Sequence, residues 1–87
     1  MSIFNRRRKD KQEAFNELYQ TYNAKIYRTA FMILNDRNLA QEATQEVFII
    51  IFTKIEGLRD ENAFQKWVYR VTSNVCVNLI RKEKKYL

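Results

Sequence analysis

Residues 62–84 read NAFQKWVYRVTSNVCVNLIRKEK, and this stretch decides the fold because its apolar side chains recur every three or four positions. That spacing matches the period of an α-helix and predicts a helix from about Asn62 to Lys84. At about 100° per residue, the apolar positions fall within an arc of roughly 80°, which predicts a single buried stripe. The stripe consists of Phe64, Val68, Val71, Val75 and Leu79.

The opposite side of this helix is polar and basic, and Trp67 falls among its polar positions. Lys and Arg bind phosphates, Asn hydrogen-bonds base edges, and an aromatic ring stacks on an exposed base with about 1–3 kcal/mol. A solvated face with Trp67 at the core margin explains the same spacing, and basic residues near a helix end also complement its dipole. Both interpretations stay open at this point. The polar face consists of Lys66, Arg70, Asn74, Asn78, Arg81 and Lys85.

Two further helices are predicted before this one, over about 11–34 and 39–55. Residues 35–38 interrupt the apolar pattern, and Asn38 is a candidate N-cap for the second helix. Residues 56–62 form the one convincing loop. The first helix carries Phe15, Leu18, Tyr19, Tyr22, Ile26, Ala30, Ile33 and Leu34 at helical spacing, and the second carries Leu39, Ala43, Val47, Ile50 and Ile51 on its inner side.

The composition agrees with long helices and little else. The 87 residues include no Pro and a single Gly, at position 57, which leaves few places for tight turns. A chain of this length forms at most one domain. The sequence therefore predicts an all-α fold, a small bundle of three or more helices.

Several classes of function are excluded by missing residues. With no His and one Cys, the chain cannot assemble a Ser–His–Asp triad, a Cys–His pair or a typical zinc site. We therefore expect no enzyme and no cofactor, and Cys76 is predicted to be a small buried side chain. The longest apolar run, 47–52, is far short of the ~20 residues that span a bilayer, and no signal peptide is visible. These features predict a soluble cytoplasmic protein.

The positive charge is concentrated at the two ends of the chain. The formal net charge is +6, with five basic and one acidic residue over 1–12, and four basic and one acidic over 81–87. Residues 13–80 carry seven basic and eight acidic residues. Basic ends suit phosphate groups or an anionic surface, although a solubilising N-terminal arm over 1–12 explains the first cluster equally well.

The second predicted helix has a polar edge of the opposite character. Gln41, Glu42, Gln45 and Glu46 share one helical face. Such a face suits basic side chains of a protein partner, because complementary charge steers association.

Three motifs together resemble region 2 of the extracytoplasmic-function (ECF) sigma factors. Residues 40–49, AQEATQEVFI, resemble region 2.2, which typically reads Ala-Glu-Asp-apolar-x-Gln-Glu-x-Phe-apolar. Residues 64–74, FQKWVYRVTSN, resemble the Phe-x-x-Trp-Leu-Tyr-x-Ile-Ala-x-Asn signature of regions 2.3 and 2.4. Residues 14–27 match the region 2.1 pattern. The resemblance implies a sigma domain 2 over 13–87, with region 2.1 over about 13–35, region 2.2 over about 38–55 and regions 2.3–2.4 over about 58–84.

The resemblance also implies roles for particular residues. The domain would bind core RNA polymerase through the coiled coil of its largest catalytic subunit, and it would open the promoter −10 element by capturing a flipped base of the non-template strand. The implied polymerase contacts are Gln41, Glu42, Gln45 and Glu46. The implied DNA contacts are Leu58, Arg59, Asp60, Asn62, Lys66, Trp67, Arg70, Asn74, Arg81 and Lys82.

The sequence departs from the family pattern at several positions. Gln41 and Glu42 replace the usual Glu and Asp, and Asn78 stands where Asp is common. Ile50 occupies a frequently polar position, so it is expected to add exposed apolar surface that contacts an anti-sigma factor. The second helical domain of such factors, which reads the −35 element, is missing after Leu87, so a shortened chain is expected. A monomer is expected when the domain is free.

Two other classes of function remain compatible with the residues. A helix-turn-helix protein would read duplex DNA in the major groove, although a loop over 56–62 is long for its turn. A purely protein-binding helical adaptor would lack the steep salt dependence that phosphate contacts confer.

Overall fold

The computed structural model describes residues 10–85 and consists of three long helices. Helix α1 spans Lys11–Leu34, α2 spans Arg37–Lys54 and α3 spans Glu61–Lys85, with a short 3-10 helix over Ile55–Gly57. No strand occurs within 10–85. The predicted all-α bundle is therefore confirmed, and the predicted bounds of the first and last helices agree to within one residue. Residues 1–9 of the predicted basic arm lie outside the described range.

The turn between α1 and α2 differs from its prediction. Asn35 ends α1 in the left-handed region, at φ 52°. Asp36 then caps α2, because its carboxylate accepts a hydrogen bond from the Leu39 backbone N–H at 2.9 Å. The expectation that Asn38 caps this helix is wrong, since Asn38 already lies in its first turn. The turn consists of only two residues, because Asn35 is the C-cap of α1 and Asp36 is the N-cap of α2. It is therefore shorter than the predicted break over 35–38.

The connection between α2 and α3 is also shorter than the predicted loop over 56–62. The 3-10 helix continues α2, and only Leu58, Arg59 and Asp60 lie outside helices. Asp60 caps α3 by accepting a hydrogen bond from the Asn62 backbone N–H at 2.9 Å. A carboxylate at the start of a helix satisfies backbone N–H groups that have no partner within the helix, so α3 begins at Glu61.

The core runs along the axis of the bundle, where α2 packs against both other helices. Ala40 and Ala43 have no exposed surface, and their small side chains allow close approach of the helix backbones. Four of the five predicted stripe positions on α3 are buried, whereas Val71 is only partly buried. Cys76 is fully buried as predicted. The other buried apolar residues include Leu18, Tyr22, Ile26, Ala30, Val47, Phe48, Ile51 and Ile55.

Two buried hydroxyl groups are accommodated by the helix backbone. Thr44 Oγ1 donates to the Ala40 carbonyl and Thr72 Oγ1 to the Val68 carbonyl, each at 2.7 Å. These bonds remove the cost of burying an unpaired hydroxyl. Within the described residues, no helix is long and apolar enough to cross a membrane.

Candidate functional site

The connection between α2 and α3 surrounds an open groove of about 460 Å³, which we call the loop groove. Four of the predicted DNA-binding residues line it together: Leu58, Arg59, Asp60 and Trp67. Its remaining lining residues are Lys54, Gly57, Ala63 and Phe64. The groove exists because α2 ends and α3 begins at the same end of the bundle, with only a short connection between them.

The floor of the loop groove is aromatic. Phe64 is 1% exposed and belongs to the core, whereas Trp67 is partly buried and packs against that core. The centroids of the two rings lie 6.0 Å apart, at an interplanar angle of 44°. Trp67 therefore lies at the core margin, as one interpretation of its spacing expected, and it also lines the groove. Stacking of its ring on an exposed base stays a prediction.

The polar rim of the groove is uneven in charge. Asp60 Oδ1 accepts hydrogen bonds from the backbone N–H groups of Asn62 at 2.9 Å and Ala63 at 3.5 Å. Its carboxylate is thus engaged by the start of α3, while Lys54 and Arg59 expose cationic groups. Asn62 is exposed beside the groove and does not line it.

A hydrogen-bonded cluster fixes the first turns of α3 against α1. The Tyr22 hydroxyl donates to Glu61 Oε2 at 3.2 Å and accepts from Gln65 Nε2 at 3.4 Å. Burial raises the pKa of Tyr22, the Gln65 hydrogen bond lowers it, and the charge and hydrogen bond of Glu61 raise it further. Because Tyr22 is 4% exposed, this cluster anchors the helix turn that carries the groove floor. This contact was not predicted, because helical spacing does not reveal which helices are neighbours.

Apart from the partly buried Trp67, the predicted DNA contacts on α3 are all exposed. Lys66, Arg70 and Asn74 continue along the helix from the loop groove. Arg81 and Lys82 lie near its far end, about 20 Å beyond Trp67 at 1.5 Å rise per residue. Lys82 lines a separate cleft of about 210 Å³ with Glu42, Leu39, Leu79 and Glu83. The structure therefore brings Lys82 next to a predicted polymerase contact and away from the groove.

The predicted polymerase contacts share one exposed side of α2. Gln41, Glu42, Gln45 and Glu46 are all exposed, as their spacing predicted. Gln45 lines a groove between α2 and α1, and Glu42 lines the cleft between α2 and α3. The exposed row formed by these four residues therefore lies between the two clefts.

An apolar groove between α1 and α2, which we call the α1–α2 groove, was not predicted. It measures about 510 Å³. Phe15 packs edge-on against Phe48 and Phe52, with centroid distances of 5.9 and 5.2 Å, and Tyr19 lies 4.8 Å from Phe48. The sequence signal for this groove is an aromatic pair at positions i and i+4 on each helix, Phe15 and Tyr19 on α1 and Phe48 and Phe52 on α2. The groove is lined by Gln12, Phe15, Asn16, Tyr19, Thr44, Gln45, Phe48, Ile49, Phe52 and Thr53.

The exposed isoleucine of α2 is Ile49 rather than Ile50. Ile49 is 65% exposed and lines the α1–α2 groove, whereas Ile50 is partly buried and packs against the core. The expectation that Ile50 contributes much exposed apolar surface is therefore corrected, because its position on the helix turns it toward α2's neighbours. The anti-sigma contact predicted for Ile50 stays a prediction.

No cluster of three or more potential metal ligands occurs among the described residues. Cys76 lies in the core, where burial raises the pKa of its thiol. The side chains that line the two grooves include aromatic rings, amides, hydroxyl groups and charged groups.

Comparison with known proteins gives consistent matches. The family model "Sigma-70 region 2" matches residues 18–86. The ECF RNA polymerase sigma factor SigW of Bacillus subtilis is 31% identical over 77 residues, covering 88% of this chain and 41% of that protein. SigM of the same organism is 30% identical, covering 80% of this chain and 42% of that protein.

A third relative comes from another organism. The ECF RNA polymerase sigma factor SigE of Mycolicibacterium smegmatis is 26% identical, covering 79% of this chain and 26% of that protein. The chain thus spans less than half the length of these curated relatives. No solved structure matches the chain.

Proposed function

Because the chain belongs to the sigma-70 region 2 family, in its ECF group, we propose that it acts in transcription initiation by binding core RNA polymerase and opening the promoter −10 element. Binding, without catalysis, performs this task. The observation that carries the proposal is the loop groove, which combines an aromatic floor with cations at its rim and is lined by four of the DNA contacts that the resemblance implies.

The loop groove has the properties needed to hold a flipped base of the non-template strand. Its volume lies within the ~300–1,000 Å³ typical of ligand clefts. Stacking on an aromatic ring contributes about 1–3 kcal/mol per base, which is comparable to the few kcal/mol needed to unstack one. The free energy of stacking one captured base on the ring therefore offsets most of the free energy needed to unstack that base from the duplex.

The exposed face of α3 offers a path for the rest of the strand. Lys66 and Arg70 supply cations for phosphates, and Asn74 supplies an amide for a base edge. Arg81 and Lys82 would contact DNA backbone further along the helix. This arrangement places base capture at one end of α3 and backbone contacts along the rest of its length.

The exposed row on α2 is the proposed contact with the coiled coil of the largest polymerase subunit. Glu42 and Glu46 supply negative charge, and Gln41 and Gln45 supply amides. The α1–α2 groove lies beside Gln45 and adds an apolar surface to the same side. Apolar area of this kind supports stable association, whereas charge steers the encounter.

The proposal extends to partners and organisation. An anti-sigma factor that covers this domain would contact Ile50, and the free domain would be a monomer in the cytoplasm. A separate domain would read the −35 element, and residues 13–87 would form the present domain.

The test is a binding assay with single-stranded non-template −10 oligonucleotides, using the wild type, Trp67→Ala, Asn74→Ala and a control, Tyr69→Ala. Tyr69 is an exposed aromatic residue of α3 that does not line the loop groove. We expect sequence-dependent binding that is weakened in the first two variants and retained in the control. Equal binding by all four proteins would contradict base capture.

The same assay separates the alternatives. Tighter binding to duplex than to single strands would favour a helix-turn-helix protein, although six residues separate α2 from α3 where that motif has about 3–4. Binding to the polymerase coiled coil without any salt-dependent DNA binding would favour an adaptor.

A further inference from the structure

Lys54 has a position that neither the sequence motif nor the proposed strand path includes. It is the last residue of α2, it is exposed, and it lines the loop groove. On the α3 side, the groove is lined by Ala63 and by Trp67 of the aromatic floor. The groove therefore has a cation on the α2 side and an aromatic ring on the α3 side.

The charges around this groove favour an anionic ligand. Lys54 and Arg59 are exposed cations that line it, and Asp60 is the one acidic lining residue within 10–85. One carboxylate oxygen of Asp60 is engaged by backbone N–H groups of α3, which offsets its negative charge. A ligand with a flat apolar part and a nearby negative group matches this combination, and a nucleotide has both.

We infer that Lys54 binds the phosphate of the nucleotide whose base occupies the loop groove, as a positioning contact from the α2 side. This inference rests on the proposed function, because it assumes that a base enters the groove. The Lys ammonium is a compact charge on a flexible stem, which suits a phosphate whose position shifts with the identity of the base. The bond restricts the nucleotide across the groove from Trp67.

A simpler explanation of Lys54 is that a cation at the end of a helix complements the helix dipole. That role predicts a change in stability and no effect on DNA. The experiment must therefore measure DNA binding and folding separately.

The test compares wild type, Lys54→Gln and Arg28→Gln for binding to short single-stranded −10 oligonucleotides, followed by fluorescence anisotropy of a labelled strand. Arg28→Gln removes the same charge from an exposed site on α1 that does not line the loop groove. A set of oligonucleotides carries one neutral methylphosphonate each, moved along the strand. Thermal unfolding of each variant monitors the fold.

We expect Lys54→Gln to weaken binding roughly twofold to fivefold, the size typical of an exposed ion pair. The slope of log K against log salt should become shallower by about 0.7, as expected for one lost contact to a single strand. One methylphosphonate position should weaken the wild type and Arg28→Gln, and leave Lys54→Gln unaffected.

Failure of this inference is distinguishable from failure of the proposed function. If Trp67→Ala weakens binding while Lys54→Gln keeps the methylphosphonate pattern of the wild type, Lys54 does not bind that phosphate and base capture stands. If no oligonucleotide binds the wild type, or Trp67→Ala binds equally well, the proposed function and this inference both fail.

Discussion

Asp60 caps α3 and lines the loop groove, so its carboxylate links the stability of the helix to the shape of the site. We expect Asp60→Ala to lower the free energy of unfolding by about 0.5–2 kcal/mol, the usual cost of a lost N-cap. Asp60→Asn should retain most of the stability, because an amide oxygen also accepts from backbone N–H groups. Urea unfolding of the three proteins checks this. Equal midpoints for Asp60→Ala and wild type would show that another group caps the helix.

Tyr22 gives a second prediction at this scale, because its hydroxyl bridges α1 and α3. Removing the hydroxyl in Tyr22→Phe should destabilise the fold by about 1 kcal/mol, the net value of a typical hydrogen bond. The matched control is Tyr69→Phe, since Tyr69 is 64% exposed. Chemical denaturation should separate the two variants, and equal losses would show that the bridge contributes nothing.

The raised pKa of Tyr22 also predicts how stability depends on pH. A group that holds its proton more tightly when folded contributes stability that is fully present below its ordinary value of 10.0, and loses it as pH rises through the folded pKa. Wild-type stability should therefore fall above about pH 10 more steeply than that of Tyr22→Phe. Cys76 acts in the same direction, since burial raises its pKa above 9.0. Comparison in a Cys76→Ala background isolates the tyrosine, and parallel curves would contradict the expected linkage.

Helix α2 provides a prediction at the scale of the element, because Ile49 and Ile50 face different surroundings. Lys in place of partly buried Ile50 should destabilise the bundle by roughly 1–3 kcal/mol, whereas Lys in place of exposed Ile49 should leave stability nearly unchanged. Under the proposed function, Ile49→Lys should weaken binding to the polymerase coiled coil. Thermal unfolding and coiled-coil binding of both variants distinguish these effects. If Ile49→Lys destabilises the bundle and Ile50→Lys does not, then Ile49 is the buried side chain and Ile50 the exposed one.

The helices themselves were predictable from periodicity, whereas their ends depended on local chemistry. The stripe over 62–84 fixed the length of α3 to within one residue at each end. The turn at 35–38 was mispredicted because Asn38 and Asp36 are both good caps, and only the left-handed Asn35 decides between them. The connection after α2 was predicted too long because a 3-10 turn has no apolar period of its own.

The site was predictable where it lies on one element and not where it lies between two. Exposure of Glu42, Glu46 and Arg70 follows from helical spacing. The α1–α2 groove and the Tyr22–Glu61 contact depend on which helices are neighbours, and a periodic pattern carries no such information. The spacing placed Ile50 on the inner side of α2, and the expectation that it is exposed was wrong because its burial depends on the neighbouring helices.

At the scale of the whole molecule, the bundle measures 49 × 20 × 19 Å, so distant side chains can act independently. Glu46 lies on the exposed row of α2 and Trp67 on the floor of the loop groove. Glu46→Lys should weaken binding to the coiled coil and leave single-stranded DNA affinity unchanged, and Trp67→Ala should do the reverse. The double variant should show the sum of the two free-energy changes, as expected for sites without shared partners. A deviation above about 0.5 kcal/mol would indicate that the two surfaces communicate.

The sequence contains one tryptophan, and the fold places it on the floor of the loop groove. Indole emission depends on solvent exposure and is commonly quenched when a nucleobase stacks on the ring. The natural protein therefore carries its own optical reporter at the position where occupancy matters. Titration with unlabelled oligonucleotides, followed by stopped-flow mixing, would give the rates of base entry and release without a dye that alters the groove.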